Sequence, residues 1–160
     1  LTYRGLGAIH GMVTVWVALS PGTTESGCID VVRSTHNNAI LPHDVTFDES
    51  NLLSRRQEIA VDIAAGNKTA IEQQPGEMSL HHGLTIHRSG PNDSDHRRIG
   101  CVIQNIRPDM AQQVGDKDYV LWARGTDRHG TFEHVARPEA LFSARGWRPM
   151  RLFMQNGPRR

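Results

Sequence analysis

Residues 12–19 read Met-Val-Thr-Val-Trp-Val-Ala-Leu, which sets Val13, Val15, Val17 and Leu19 on one face of an extended strand and Thr14, Trp16 and Ala18 on the other. Side chains alternate across a strand, and here both faces are mostly apolar. Such a strand must be covered on both sides or line a closed cavity. The rest of the chain repeats short strands between turn formers. Ser20-Pro21-Gly22-Thr23-Thr24-Glu25-Ser26-Gly27 is a connection into a strand at 28–32. Residues 57–63 alternate Ile59, Val61 and Ile63 with polar or small residues, and a turn at 66–68 precedes a strand at 69–72. A tight turn at 74–77 leads into 78–82, residues 84–89 and 97–106 flank the breakers Gly90 and Pro91, and 118–124 forms a last short strand. Helix is expected only as a turn within 44–56, where Asp48, Glu49, Ser50 and Asn51 offer caps ahead of Leu52 and Leu53, and as a short piece at 139–145. Seven or so short strands with minor helix predict an all-β sandwich or jelly roll.

At 160 residues the chain is long enough for one core, and a single domain over 1–160 is expected, with about 139–160 as a tail. Eighteen basic against 17 acidic residues give a net charge of +1, which supplies no field to recruit nucleic acid or an anionic membrane. No run approaches the roughly 18 apolar residues of a membrane span. Cys28 and Cys101 both sit in apolar, strand-like surroundings and are read as small buried hydrophobes in a reducing compartment, so a cytoplasmic protein without a disulfide is expected. The chain opens on Leu1 and runs almost at once into a buried-looking strand, which reads as a fragment of a longer protein.

Chemistry concentrates between His81 and Arg98. Four of the nine histidines lie there (His81, His82, His87 and His96), with adjacent Arg97 and Arg98 and the turn Ser89-Gly90-Pro91-Asn92. Thr85, His87 and Ser89 share a strand face, and Arg98 opens the next strand. If these two strands pair as a hairpin, His87 and Arg98 look into one interior. A neutral imidazole suits Fe(II), Zn(II) or Cu(II), and an arginine fork suits a carboxylate beside the metal. Spacing alone favours a plainer assignment, with His87 a hydrogen-bonded core histidine and Arg98 a salt-bridged surface residue. His81 and His82 are adjacent, so at most one of them looks inward. Asp127-Arg128-His129 reads as solvated loop.

Several blocks nevertheless match one family in order. Gly76-Glu77-Met78-Ser79-Leu80-His81-His82, His87-Arg88-Ser89-Gly90-Pro91-Asn92 and Arg97-Arg98-Ile99-Gly100 resemble the second half of the phytanoyl-CoA dioxygenase family of Fe(II)/2-oxoglutarate oxygenases. Upstream, residues 13–19, Glu25-Ser26-Gly27-Cys28 and Val31-Val32-Arg33-Ser34-Thr35-His36 resemble that family's strand, turn and Pro-Gly-Ser-His segment, with Arg33 in place of the proline. The resemblance runs from Leu1 to about Pro138 and implies a double-stranded β-helix, or jelly roll, present here in part.

It further implies Fe(II), 2-oxoglutarate as co-substrate and O2, with a small organic molecule as substrate. The family's facial triad is a His-x-Asp pair and a later histidine. The later histidine maps to His87, the arginine that grips the far carboxylate of the co-substrate to Arg98, and the assisting hydroxyl to Ser89. Trp16 and Asn92 match residues that line or brace the pocket. None of the nine histidines has Asp or Glu two residues on, so the other two ligands are expected upstream of Leu1. On that reading the fragment alone is inactive, and its exposed edges and cavity walls favour association. Two alternatives stay open: a non-catalytic cupin-like module holding a metal or small anion through His82 and His87, and a degenerate family member kept as a structural domain. Oligomeric state is undetermined.

Overall fold

A computed structural model describes residues 11–45, 57–59, 61–110, 119–137 and 139–140. Among these residues there are ten strands: β1 (Met12–Ala18), β2 (Ile29–Val32), β3 (Asp44–Val45), β4 (Gln57–Glu58), β5 (Lys68–Ile71), β6 (Met78–His82), β7 (His87–Ser89), β8 (Gly100–Ile106), β9 (Tyr119–Leu121) and β10 (Glu133–Val135). Thr35–Asn37 and Ala65–Asn67 are short 3-10 turns, the two that lie wholly within the described residues. The all-β expectation therefore holds. The helical turn anticipated in 44–56 opens instead as β3, its remainder lying outside the described residues. The helix at 139–145 likewise falls mostly outside them; Glu139 and Ala140 are bends.

Contacts divide the chain into a unit of residues 12–105 and a second that joins the residues up to Gly11 with those from Ile106 onward. The first unit holds two three-stranded sheets, ordered β6-β1-β8 and β5-β2-β7. In the first sheet β1 runs antiparallel to β6, with Val13 opposite His82, Val15 opposite Leu80 and Val17 opposite Met78. Directly opposed residues share a face, so one face carries Val13, Val15, Val17, Met78, Leu80 and His82, and the other carries Thr14, Trp16, Ser79 and His81. In the second sheet Val31 of β2 lies between Thr69 of β5 and His87 of β7, and Ile29 lies between Ile71 and Ser89.

The strands on either side of Gly90 and Pro91 do not form a hairpin. β7 joins β2 and β8 joins β1, so residues 90–99 carry the chain from one sheet to the other. That connection is fixed at several points. Asp93 N–H donates to the Glu25 carbonyl (2.9 Å), and the Ile99 N–H donates to Ser20 Oγ (2.7 Å). Asn92 Nδ2 donates to the His96 carbonyl (2.8 Å), while its Oδ1 accepts from the N–H and hydroxyl of Ser94 (3.0 and 2.6 Å). Gly27, at φ +71°, faces Gly90 and Pro91 so closely that a Cβ there would lie 2.5 Å from both carbonyl oxygens.

Smaller departures have local causes. The strand anticipated at 57–63 shortens to β4, a two-residue partner of β3, and 84–89 shortens to β7 because Gly83 and Leu84 turn, with the Thr85 N–H donating to the His82 carbonyl (2.9 Å). Cys28 is buried as expected, and burial pushes its thiol above the ordinary value. Cys101 is exposed, contrary to expectation, and both cysteines are free. In the second unit, the strand anticipated at 118–124 is β9, and it pairs in parallel with β10, which the sequence pattern did not reveal. Around it, His134 stacks on Trp122 at 5.2 Å and contacts Asp127 Oδ2 at 2.8 Å. Asp127 also accepts the N–H groups of His129 and Gly130, which together with His134 hold its carboxyl below the ordinary range. Asp127 is thus the organising acceptor of a loop that is otherwise exposed, as the sequence suggested. No helix among the described residues is long and apolar enough to cross a membrane.

Candidate active site

The site lies between the two sheets of the first unit. His81 on β6 and His87 on β7 bring their rings to 6.0 Å, which identifies the Trp16 face of one sheet and the Val31 face of the other as the facing surfaces. His81 is buried and His87 exposed. The Gln73 amide, oriented so that its oxygen accepts from the N–H groups of Met78 and Ser79, donates to Ser79 Oγ. The Ser79 hydroxyl is then committed to His81 Nε2, 2.8 Å away. Burial, and secondly the neighbouring His87, push the His81 imidazole below its ordinary value of 6.5.

His87 Nδ1 lies 2.8 Å from the Thr85 carbonyl oxygen. A carbonyl only accepts, so Nδ1 carries the proton and Nε2 keeps its lone pair. This is how a metal-ligating histidine is commonly set, with one nitrogen anchored to backbone and the other presented. The donor chemistry therefore fits a divalent cation at His87 Nε2. Among the described residues no group of three or more His, Cys, Asp or Glu side chains is placed to hold a metal.

Arg98 reaches across from the other side of the crossover. Its Nη2 donates to Ser89 Oγ at 3.1 Å, and its guanidinium carbon lies 5.6 Å from the Trp16 ring centroid. Ser89 shares the face of His87, two positions along β7, so one strand carries both the imidazole and the hydroxyl that orients the arginine. No ion-pair partner holds Arg98 among the described residues, and an arginine fork seated on an indole retains donors for a bidentate carboxylate. Trp16 in turn rests on Gly100: a Cβ at that position would lie 2.8 Å from indole Nε1 and closer still to Cζ2 and Cε2. The geometry thus joins Trp16, Ser89 and Arg98, with His87 two positions from Ser89 on β7. Asn92 sits apart, bracing the crossover by its bonds to Ser94 and His96.

The pairing of His82 with His87 is not what the sheet makes. His82 lies on the Val13 face, and its ring meets His36 edge-on at 5.8 Å. It is His81 that faces His87. Two positions in this arrangement were missed on sequence grounds. Gly100 shares Arg98's alternation face, so its place in the site was available as a signal. Nothing in the sequence chose His81 over His82 as the inward member.

Two three-stranded sheets in an all-β chain are the architecture of a jelly roll. Residues 5–100 match the phytanoyl-CoA dioxygenase (PhyH) family, and the chain belongs to it. A probable phytanoyl-CoA dioxygenase of Caenorhabditis elegans is 28% identical over 99 residues, covering 62% of this chain and 32% of that protein. Among solved structures, the non-heme monooxygenase ThoJ in its apo form superimposes with a TM-score of 0.79 at 32% identity, covering 96% of this chain and 54% of that one. EvdO2 from Micromonospora carbonacea var. aurantiaca, complexed with 2-oxoglutarate, shares the fold with a TM-score of 0.54 at 24% identity over 69% of this chain and 46% of that one. The chain therefore spans about a third of the curated relative and about half of the solved one.

Proposed function

We propose that the intact protein is an Fe(II)/2-oxoglutarate-dependent dioxygenase that hydroxylates a small organic substrate. The observation that carries this reading is the Arg98 guanidinium, oriented by Ser89 and seated on Trp16, on the face where His87 presents Nε2. His87 serves as one metal ligand, held in the required tautomer by the Thr85 carbonyl. Arg98 grips the far carboxylate of 2-oxoglutarate and so fixes how the keto-acid end is presented. Ser89 and Trp16 hold the guanidinium in one orientation, which lowers the ordering cost when the carboxylate arrives. The bound iron, with 2-oxoglutarate and O2, supplies oxidative decarboxylation to succinate coupled to insertion of oxygen into a substrate C–H bond. The protein's contribution is position and exclusion of water.

The membership of the family, the 32% identity to ThoJ and the donor chemistry at His87 and Arg98 support the reading. The test is succinate formation by the intact protein with Fe(II), 2-oxoglutarate and O2. His87→Ala is expected to abolish it, and Arg98→Ala to raise KM for 2-oxoglutarate by roughly 10–100-fold, the value of a charge-assisted pair of bonds. Wild-type turnover in both variants would refute the assignment.

A further inference from the structure

Resting on that oxygenase reading, we infer that the cavity where β2 and β5 end holds an oxyanionic group of the substrate, a carboxylate or a phosphate, through Arg33 and Lys68. The cavity is about 430 Å³ and is lined by Val32, Arg33, Gly66, Asn67, Lys68 and Thr69. That volume lies within the range of small-molecule sites. The lining contains two cations and no carboxylate. Among the described residues neither cation has an ion-pair partner, whereas Arg88 meets Asp30 and Arg107 meets Asp109. Arg33 is also oriented: its Nε donates to Thr69 Oγ1 at 3.1 Å, which fixes the plane of the guanidinium while leaving its terminal nitrogens to a ligand.

The sheet ties this cavity to the candidate metal ligand. Thr69, Val31 and His87 are opposed in one row across β5, β2 and β7, so the residue that anchors Arg33 shares a face with His87, whereas Lys68, opposed to Val32, belongs to the other face and meets the cavity at the strand end. Neighbouring strands lie about 4.8 Å apart, which sets Thr69 about 10 Å from His87 along the row. An anion held at Arg33 would therefore anchor one end of a substrate whose reacting carbon lies some 10 Å away, beside His87. Arg98 is engaged by Ser89 on the far side of His87, two positions along β7, so the co-substrate carboxylate and the substrate oxyanion have separate cationic partners.

The test is a titration with inorganic phosphate and, separately, with acetate. It uses the intact protein carrying Arg98→Gln, which removes the competing carboxylate site. Binding is read by calorimetry and by the Arg33 Nε–H resonance. At least one anion should bind saturably and move that resonance. Adding Arg33→Gln or Lys68→Gln should weaken binding by about tenfold, the effect of one charge-assisted hydrogen bond. Tighter phosphate binding assigns a phosphate ester to the substrate, and tighter acetate binding a carboxylate. The inference is overturned if neither anion moves the Arg33 resonance, or if both added substitutions leave the affinity unchanged. Succinate formation by the protein with Arg98 intact is measured in parallel. A protein that makes His87-dependent succinate yet fails the titration lacks only the subsite; one that binds anions at Arg33 but makes no succinate retains the subsite and loses the oxygenase reading.

Discussion

Gly100→Ala is the smallest change that reaches the co-substrate clamp without touching any group that binds. The new methyl would lie 2.8 Å from Trp16 Nε1 and nearer to two carbons of the same ring, where ordinary contact begins at 3.4 Å. The indole must therefore retreat by more than the 0.6 Å between those figures, because Gly100 sits on β8 and its backbone is held in the sheet with β1. Overpacking of this kind costs about 1–3 kcal/mol in a closed core. Trp16 is only half-buried, so the stability loss should fall at the low end, about 1 kcal/mol. The functional cost should be larger. Arg98 lies 5.6 Å from the ring centroid, and a displacement of about 1 Å at a positioning residue can cost up to 10²-fold. We expect KM for 2-oxoglutarate to rise by about tenfold, with a change in melting temperature of only a few degrees. The assay is succinate formation against 2-oxoglutarate concentration, alongside Fe(II) affinity, which should be unaffected because His87 is held by Thr85 and not by the indole. An unchanged KM with a displaced Trp16 indole resonance would refute the idea that the ring positions the arginine.

Ser89→Ala removes a single exposed bond to Arg98 and should raise KM for 2-oxoglutarate by roughly two- to tenfold while leaving stability within about 0.5 kcal/mol. Gly27→Ala combines a left-handed φ of +71° with a Cβ 2.5 Å from two backbone oxygens that cannot swing aside; thermal unfolding should show a loss of about 2–4 kcal/mol. Glu72 accepts the N–H and hydroxyl of Thr24, both at 2.7 Å, and these bonds hold its carboxyl below the ordinary 4.5. A carboxyl lowered in the folded state binds fewer protons there than in the unfolded chain, so its contribution is complete above about pH 4.5 and fades as pH falls through the lower folded value. Hydrogen exchange in the Thr23–Gly27 turn should accelerate over that window, and Glu72→Gln should abolish the acceleration.

What could be read from the residues follows from which physical signal each carries. β1 announces itself because Val13, Val15 and Val17 alternate with Thr14 and Trp16 over seven uninterrupted residues. β3 and β4 are two residues each, too short for any period to register, and β10 is three residues in a polar stretch, stabilised by a parallel partner the local sequence does not contain. His87, Ser89 and Arg98 were legible because they recur in a known order within a known set of blocks. His81 and Cys101 were not. Which of two adjacent histidines faces inward is decided by the register of β6 against β1, and the exposure of Cys101 by what covers its sheet face; neither is written in the residues themselves.

The absence of the expected hairpin accounts for the geometry of the candidate site. A hairpin would have put Ser89 and Arg98 in one sheet, where their contact would be an ordinary cross-strand pair. Instead the segment from Gly90 to Ile99 changes sheets, and the bond between Ser89 and Arg98 ties β7 to the far end of that crossover, just before β8. A bond of this kind holds geometry only if the connection is itself rigid, since an exposed serine–arginine bond supplies little energy of its own. The rigidity comes from outside the site: Asn92 closes the turn on Ser94 and His96, Asp93 binds Glu25, Ile99 binds Ser20, and Gly27 admits the Gly90–Pro91 backbone at a distance no other residue allows. Asn92 therefore matters without approaching the reacting groups. Its loss should slacken the spacing between His87 and Arg98, so that Asn92→Ala raises KM for 2-oxoglutarate and lowers kcat together, where Ser89→Ala moves KM alone.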